Sequence, residues 1–287
     1  MYMYINGEFV LETEAKISPF DHGFLYGLGV FETFRIYDGH SFLLNDHFQR
    51  LEHSVKQLNI ILKLSREELT SIMSELLLLN QLKDAYVRLN VSAGEAPIGL
   101  QTEAYTSPTI LIFMKPINEP LPKVKQAMLL KTPRNTPEGA ERLKSHHYLN
   151  SILGKREVPD IGHEGIFLTK DGHIAEGVVS NVFWVKNGQV YTPSISTGIL
   201  NGITRKFIIE LLKKNKLSCF EGLYFKEDLY SADEVFITNS IQEIVSIKAV
   251  DSCEYKSDKK VTTQLQFLYE KYKNKQLSAI KEMNERT

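Results

Sequence analysis

FETFRIYDGHSFLL, residues 31–44, alternates in a way that suits a strand and its return. Phe31, Thr33 and Arg35 fall on one side of an extended chain, and Glu32, Phe34 and Ile36 on the other. Asp38-Gly39 then supplies the positive φ angles that a two-residue turn requires, so the segment is expected to be a β-hairpin. Upstream, MYMYI and EFVLE flank Asn6-Gly7 and form another. Downstream, DHFQRLEHSVKQLNI repeats Phe48, Leu51, Val55 and Leu58 at three- and four-residue steps, which predicts an amphipathic helix starting near Asn45 or Asp46. Ser65 followed by Glu68 is a capping box that opens a second helix, running to about Asn80. The strands AYVRLNVSA and TILIFMK close this first α/β unit, residues 1–115.

KPINEPLPK is rich in proline and reads as a connection, with the linker at 116–123. A larger unit follows over 124–287. Its strands QAMLLK, GIFLT, HIAE, SNVFWV and QVYT are short and separated by turns such as Asp171-Gly172 and Asn187-Gly188, a pattern of an antiparallel or barrel-like sheet. The helices ITRKFIIELLKK and VTTQLQFLYEKYKNK bracket the strands SCFEGLYF, EVFITN and EIVSIKAV. The expected class is α/β or α+β in two domains, since 287 residues exceed the usual size of one compact domain.

Bulk composition excludes several functions. Lys plus Arg number 34 against 35 Asp plus Glu, which predicts neither a nucleic-acid footprint nor a membrane-surface patch. Cys219 and Cys253 are too few for a disulfide framework and suit a reducing cytoplasm. The N-terminus lacks a basic-then-apolar signal pattern, and the apolar run LLLL at 76–79 is far too short for a bilayer, so a soluble cytoplasmic protein is expected.

Chemistry-bearing residues are scattered along the chain. In ERLKSHHYLN (141–150) and the residues after it, Tyr148, Leu149, Ile152 and Leu153 recur at helical spacing, predicting a helix packed on one side into a core with Lys144 on its first turn. A cation there opposes the helix macrodipole, so Lys144 is either a solvated charge or a buried amine with chemistry to perform. In GILNGITRKFIIELL (198–212), the N–H groups of Ile203 and Thr204 after Gly202 could cup an anion, or Asn201 could be a plain N-cap. TNS at 238–240 offers further donors, and Arg50 a fork of N–H groups. Glu176, ahead of Gly177, is either an exposed turn acid or a carboxylate entering a sheet and in need of a partner. His146 and His147, with His163 and His173, do not compose a metal site, because neighbours in a helix point to different sides, and no metal is expected. Neither a Ser-His-Asp order nor GxGxxG is present.

In register, FETFR, QRL, K-S-x-x-Y-L, EGxxSN, NGITR and TNSxxE resemble the fold-type IV pyridoxal-phosphate enzymes, over roughly residues 4–250. That family contains the branched-chain and D-amino-acid aminotransferases and 4-amino-4-deoxychorismate lyase. The resemblance implies a small N-terminal α/β domain and a larger C-terminal domain with a barrel-like sheet, with pyridoxal 5'-phosphate at their interface. It implies that Lys144 holds the cofactor covalently, that Glu176 binds its pyridine nitrogen, and that Arg50, Ile203, Thr204 and Ser240 hold its phosphate. A homodimer is implied too, with Asp21 and His22 of SPFDHGFLYG shaping the loop below the cofactor or the subunit contact. Thr33 stands where the lyase branch characteristically carries threonine and branched-chain aminotransferases carry glycine. Thr33 and Lys144 are therefore the catalytic candidates, and Phe31, Arg35 and Arg88 the substrate-binding ones. Arg88 is either a carboxylate anchor or a structural ion-pair partner. Tyr148 follows the lysine by four residues rather than the five of branched-chain aminotransferases, so that tyrosine's role is not carried over. The arginine-x-histidine pair of D-amino-acid aminotransferases is missing. The implied reaction converts 4-amino-4-deoxychorismate to 4-aminobenzoate and pyruvate, with D-amino-acid or branched-chain transamination as the alternative.

Overall fold

The alternation of residues 31–44 is realised as the middle of a sheet. In the computed structural model, which describes residues 1–117, 122–255 and 258–283, the chain divides into two compact units. One comprises Met1–Glu119, Leu143–His147 and Gln276–Thr287, and the other Pro120–Arg142 and Tyr148–Lys275. The expected linker at 116–123 falls partly on residues 118–121, outside the described residues.

The first unit runs β1 (Tyr2–Ile5), β2 (Glu8–Leu11), α1 (His22–Tyr26), β3 (Gly29–Tyr37), β4 (His40–Ser41), α2 (Leu44–Gln57), α3 (Arg66–Asn80), β5 (Ala85–Ser92) and β6 (Thr109–Lys115). Its sheet has the order β2-β1-β6-β5-β3-β4, and every described pairing in it is antiparallel. Both short hairpins turn as their sequences require, with φ of 47° and 106° at Asn6 and Gly7 and of 45° and 78° at Asp38 and Gly39. Helices α2 and α3 cover one face, where Phe34, Ile36, Val87, Leu89 and Ile112 join Phe48, Leu51, Leu69 and Leu76 in a single core. The α3 capping box forms as expected: Glu68 N–H donates to Ser65 Oγ at 3.1 Å, and Ser65 N–H to Glu68 Oε2 at 2.7 Å. Pairing of Phe31 with Asn90 and of Thr33 with Arg88 puts these four side chains together on the other face.

The second unit contains β7 (Val124–Leu129), α4 (Leu149–Glu157), β8 (His163–Leu168), β9 (Ile174–Gly177), β10 (Asn181–Lys186), β11 (Gln189–Pro193), α5 (Ile203–Lys214), β12 (Cys219–Gly222), α6 (Lys226–Tyr230), β13 (Glu234–Asn239), β14 (Glu243–Val250), β15 (Cys253–Glu254) and α7 (Lys260–Asn274). Its mixed sheet curls as a half-barrel in the order β12-β11-β10-β13-β14-β7-β8-β9, with β15 on β14. Trp184, Val235, Ile237, Val245 and Ile247 pack together on one face, while Phe183 and Phe236 stack at 5.1 Å.

Helix α4 departs from its sequence expectation. It starts at Leu149, five residues after Lys144, and its inward side is built of Ser151 and Gly154. Leu149 is 67% exposed, and Ile152 and Leu153 also face outward. Small residues let the backbone lie close to the sheet. A Cβ on Gly154 would stand 2.9 Å from Leu130 Cδ1 and press on the Phe167 ring. The apolar repeat thus marks a surface left bare in one chain, and Lys144 belongs to an extended segment instead of a helical first turn.

Helix α7 lacks a side-chain cap of its own. The buried Glu234 of β13 supplies it, accepting from Val261 N at 3.0 Å, Thr262 N at 2.8 Å and Thr262 Oγ1 at 2.7 Å. Replacing Glu234 by Ala is expected to destabilise the protein by about 2 kcal/mol, read as a lower urea midpoint at unchanged slope.

Candidate active site

Residues 143–147 form an extra piece of strand on the edge of β3. Phe31 N–H donates to Lys144 O at 2.8 Å and His146 N–H to Gly29 O at 2.9 Å, and Val30 and Ser145 form an antiparallel bridge. Alternation along this segment sends Lys144 and His146 to the same side. Lys144 Nζ stands 4.5 Å from the Phe31 ring centroid, and the Arg88 guanidinium carbon 3.7 Å from the same ring. Arg88 Nε donates to Asn90 Oδ1 at 3.1 Å, and Thr33 pairs with Arg88 in register. Arg35, two residues beyond Thr33, lies 4.7 Å from the Tyr37 ring. Thus Phe31, Thr33, Arg88 and Lys144 gather on one face of the first unit, as the alternation of β3 implies. Among the described residues Arg88 has no carboxylate partner; its contacts are with Asn90 and the Phe31 ring.

Arg50 sits on the opposite, helix-covered face. It donates from Nε to Glu32 Oε1 and from Nη2 to Glu32 Oε2, both at 2.7 Å, and His47 Nδ1 lies 2.7 Å from the same Oε2. Glu32 and His47 are each 2% exposed. Burial alone would push the Glu32 carboxyl up. The charge of Arg50 and hydrogen bonds from Arg50 and His47 overcome it and hold the group down at about 2. Burial also pushes His47 below its ordinary value, and its bond to Glu32 does not offset this. The contact is therefore that of a neutral imidazole N–H to a carboxylate, despite its ion-pair distance. The fork orients the Arg50 guanidinium rigidly. Motif spacing does not single out Glu32 and His47, although a carboxylate on the core side of an alternating strand is a signal, since it demands a partner.

In the second unit, Glu176 at the end of β9 is buried and ionically paired. Its Oε1 accepts from Arg134 Nε at 2.9 Å and Nη2 at 2.7 Å, with Arg142 Nε 3.7 Å away, and its Oε2 accepts from Leu200 N–H at 3.0 Å. Oε2 retains capacity for another donor, such as a ring N–H. Arg134 and Arg142 lie in irregular chain without periodicity, so nothing local announces them. At α5 the N-cap is Gly202 and not Asn201, and among the described residues this cap makes no side-chain hydrogen bond. Thr204 Oγ1 and Ser240 Oγ are 3.2 Å apart. Thr238 Oγ1, on the same strand end, is buried and unpartnered among the described residues. An uncapped helix start beside hydroxyls, one of them orphaned, fits a phosphate group. A buried carboxylate backed by arginine fits a pyridine N–H.

The class IV amino-transferase family matches residues 29–250, and the chain belongs to it. The chain is 49% identical to the aminodeoxychorismate lyase of Bacillus subtilis (strain 168), over 94% of each chain. It is 32% identical to the D-alanine aminotransferase of Bacillus licheniformis, over 88% of this chain and 89% of that one. Among solved structures it matches the branched-chain amino acid aminotransferase of T.th. with pyridoxamine 5'-phosphate at a TM-score of 0.85 and 26% identity, covering 94% and 93% of the two chains. The fold is that of the fold-type IV enzymes.

The Glu32 cluster makes stability pH-dependent in two windows. The folded carboxyl titrates well below its ordinary 4.5, so its contribution is complete above about 4.5 and is lost as pH falls toward about 2. The folded state also disfavours charging of His47, so stability is lost as pH falls below the ordinary 6.5. Glu32→Gln is expected to cost about 3 kcal/mol at neutral pH. His47→Gln should flatten the melting-temperature profile below about pH 6.5, as measured by calorimetry.

Proposed function

We propose that this chain is a pyridoxal-phosphate-dependent aminodeoxychorismate lyase, converting 4-amino-4-deoxychorismate to 4-aminobenzoate and pyruvate in folate biosynthesis. The observation that carries the reading is the edge pairing that brings Lys144 over Phe31, on the sheet face that also holds Thr33 and Arg88. The likeness to the Bacillus subtilis lyase supports it. When bound, pyridoxal phosphate supplies an aldehyde for capturing amines and a ring that draws electrons from what it captures. The second unit, assigned as the cofactor-binding domain, offers Ile203, Thr204 and Ser240 to the phosphate and Glu176 to the ring nitrogen. Arg50 of the first unit, clamped by Glu32, is the further phosphate ligand.

Lys144 anchors the cofactor at rest. With the cofactor bound, Lys144 would be the group placed to take the proton from the substrate's ring carbon bearing nitrogen. Thr33 hands a proton toward the departing enolpyruvyl group, or Lys144 does so. Arg88 and Arg35 orient the substrate carboxylates, and Phe31 walls the pocket. Loss of pyruvate leaves an aromatic ring, which makes the elimination effectively irreversible.

The partner is a second copy of this chain. Phe24 at 70% and Leu100 at 89% exposure in the first unit, and Leu149, Ile152 and Leu153 in the second, are apolar surfaces of the kind that a homodimer covers. Cys219 and Cys253, both unbridged, suit the cytoplasm. Among the described residues, no helix is long and apolar enough to cross a membrane. Transamination of D- or branched-chain amino acids is the second reading, favoured by the aminotransferase relatives.

Purified holoenzyme given aminodeoxychorismate should release 4-aminobenzoate and pyruvate without a keto-acid acceptor. Turnover that requires both an amino donor and a keto acid would establish the aminotransferase instead. Borohydride should fix the cofactor on Lys144, read by peptide mass spectrometry, and Lys144→Ala should lower turnover at least about a hundredfold.

A further inference from the structure

His146 lies two residues beyond Lys144 on the same side of the edge segment, and nothing above gives it a role. Its ring packs against the Gly29 backbone, where a Cβ would meet Nδ1 and Cε1 at 2.6 Å, and stands 6.3 Å from the Phe31 ring at an interplanar angle of 27°. Its Nε2 is buried and has no hydrogen-bond partner among the described residues. A buried imidazole nitrogen without a partner is costly and calls for a ligand. The groups around it narrow the choice. Arg88 on β5, Asp21 ahead of α1, and Lys144 and His147 on its own segment are its charged or titratable neighbours, while β3 meets it with Gly29, Val30 and Phe31. A site with Arg88 and Lys144 over one ring, and an orphaned imidazole beside it, is built for an anion.

Resting on the lyase reading, we infer that His146 and Arg88 form a clamp for a substrate carboxylate, and that His146 Nε2 donates to it as an imidazolium, so that binding takes up a proton. Without a ligand, burial and the charge of Arg88 hold His146 below its ordinary value, although a backbone hydrogen bond to Val30 favours the charged form. An incoming carboxylate reverses that balance, because it supplies the missing acceptor at Nε2 and offsets the charge of Arg88. Affinity therefore falls as pH rises through the titration of the imidazolium in the complex.

The test is calorimetric titration of the holoenzyme with 4-aminobenzoate, which stays a carboxylate from about pH 6 to 8, in buffers of different ionisation enthalpy. Wild type should take up a fraction of a proton per ligand near neutral pH and bind more weakly toward about pH 8. His146→Gln and His146→Phe should bind on the order of tenfold more weakly, with a flat profile and no proton uptake. Borohydride labelling of Lys144 in both variants checks that the site is assembled. Variants that match wild type in affinity and proton uptake overturn the clamp, as does a wild type that binds without proton exchange; either result leaves the lyase reading intact. Should turnover instead establish the aminotransferase, the lyase reading fails, and the same titration with the keto acid that the enzyme accepts decides the clamp by the same two results.

Discussion

Two backbone hydrogen bonds, from Phe31 to Lys144 and from His146 to Gly29, fix one face of the first unit. They draw the segment 143–147, far downstream of β3 in the chain, onto the edge of that strand. Strand pairing fixes side-chain direction with a period of two, so the bonds decide which faces Lys144 and His146 address. A lysine on a helical first turn would have no such constraint. The segment is short, and its placement comes from a partner strand already held on its other side by β5.

The buried charges around this arrangement obey one rule: each is met by a group that can compensate it. Glu32 has Arg50 and a neutral imidazole, Glu176 has Arg134 and a backbone amide, and Glu234 has the start of α7. Such groups cost more when one partner is lost than the intact pair contributes. They specify geometry. A fork between Arg50 and Glu32 leaves the guanidinium one orientation, and the arginine pressed on Oε1 of Glu176 fixes the direction of that carboxylate.

Much of this is legible in the sequence, because alternation, Asn-Gly and Asp-Gly turns and the Ser65 capping box are local signals that the tertiary fold respects. The strand faces of β3 follow directly from FETFRIY. The order of motifs supplies the family. Helix α4 misleads, since hydrophobic spacing reports a face that wants covering and cannot say whether the cover comes from the same chain. The same spacing puts Lys144 on that helix, as β-pairing with a distant strand leaves no periodic trace in five residues. Arg134, Arg142 and His146 lie in irregular or extended chain, where the partner that gives a residue its meaning is remote in sequence. The compact grouping of residues 143–147 and 276–283 with the N-terminal part is equally non-local.

Strand β3 divides labour by parity. Its even positions, Glu32, Phe34 and Ile36, are tied to helix packing and to Arg50, while its odd positions, Phe31, Thr33 and Arg35, are turned to the other side. Exchanges at odd positions leave the even set, and with it the helix packing, undisturbed. A deletion of one residue in the strand would instead invert both inventories at once, which makes frameshifted register, and not point change, the prohibited direction for this fold.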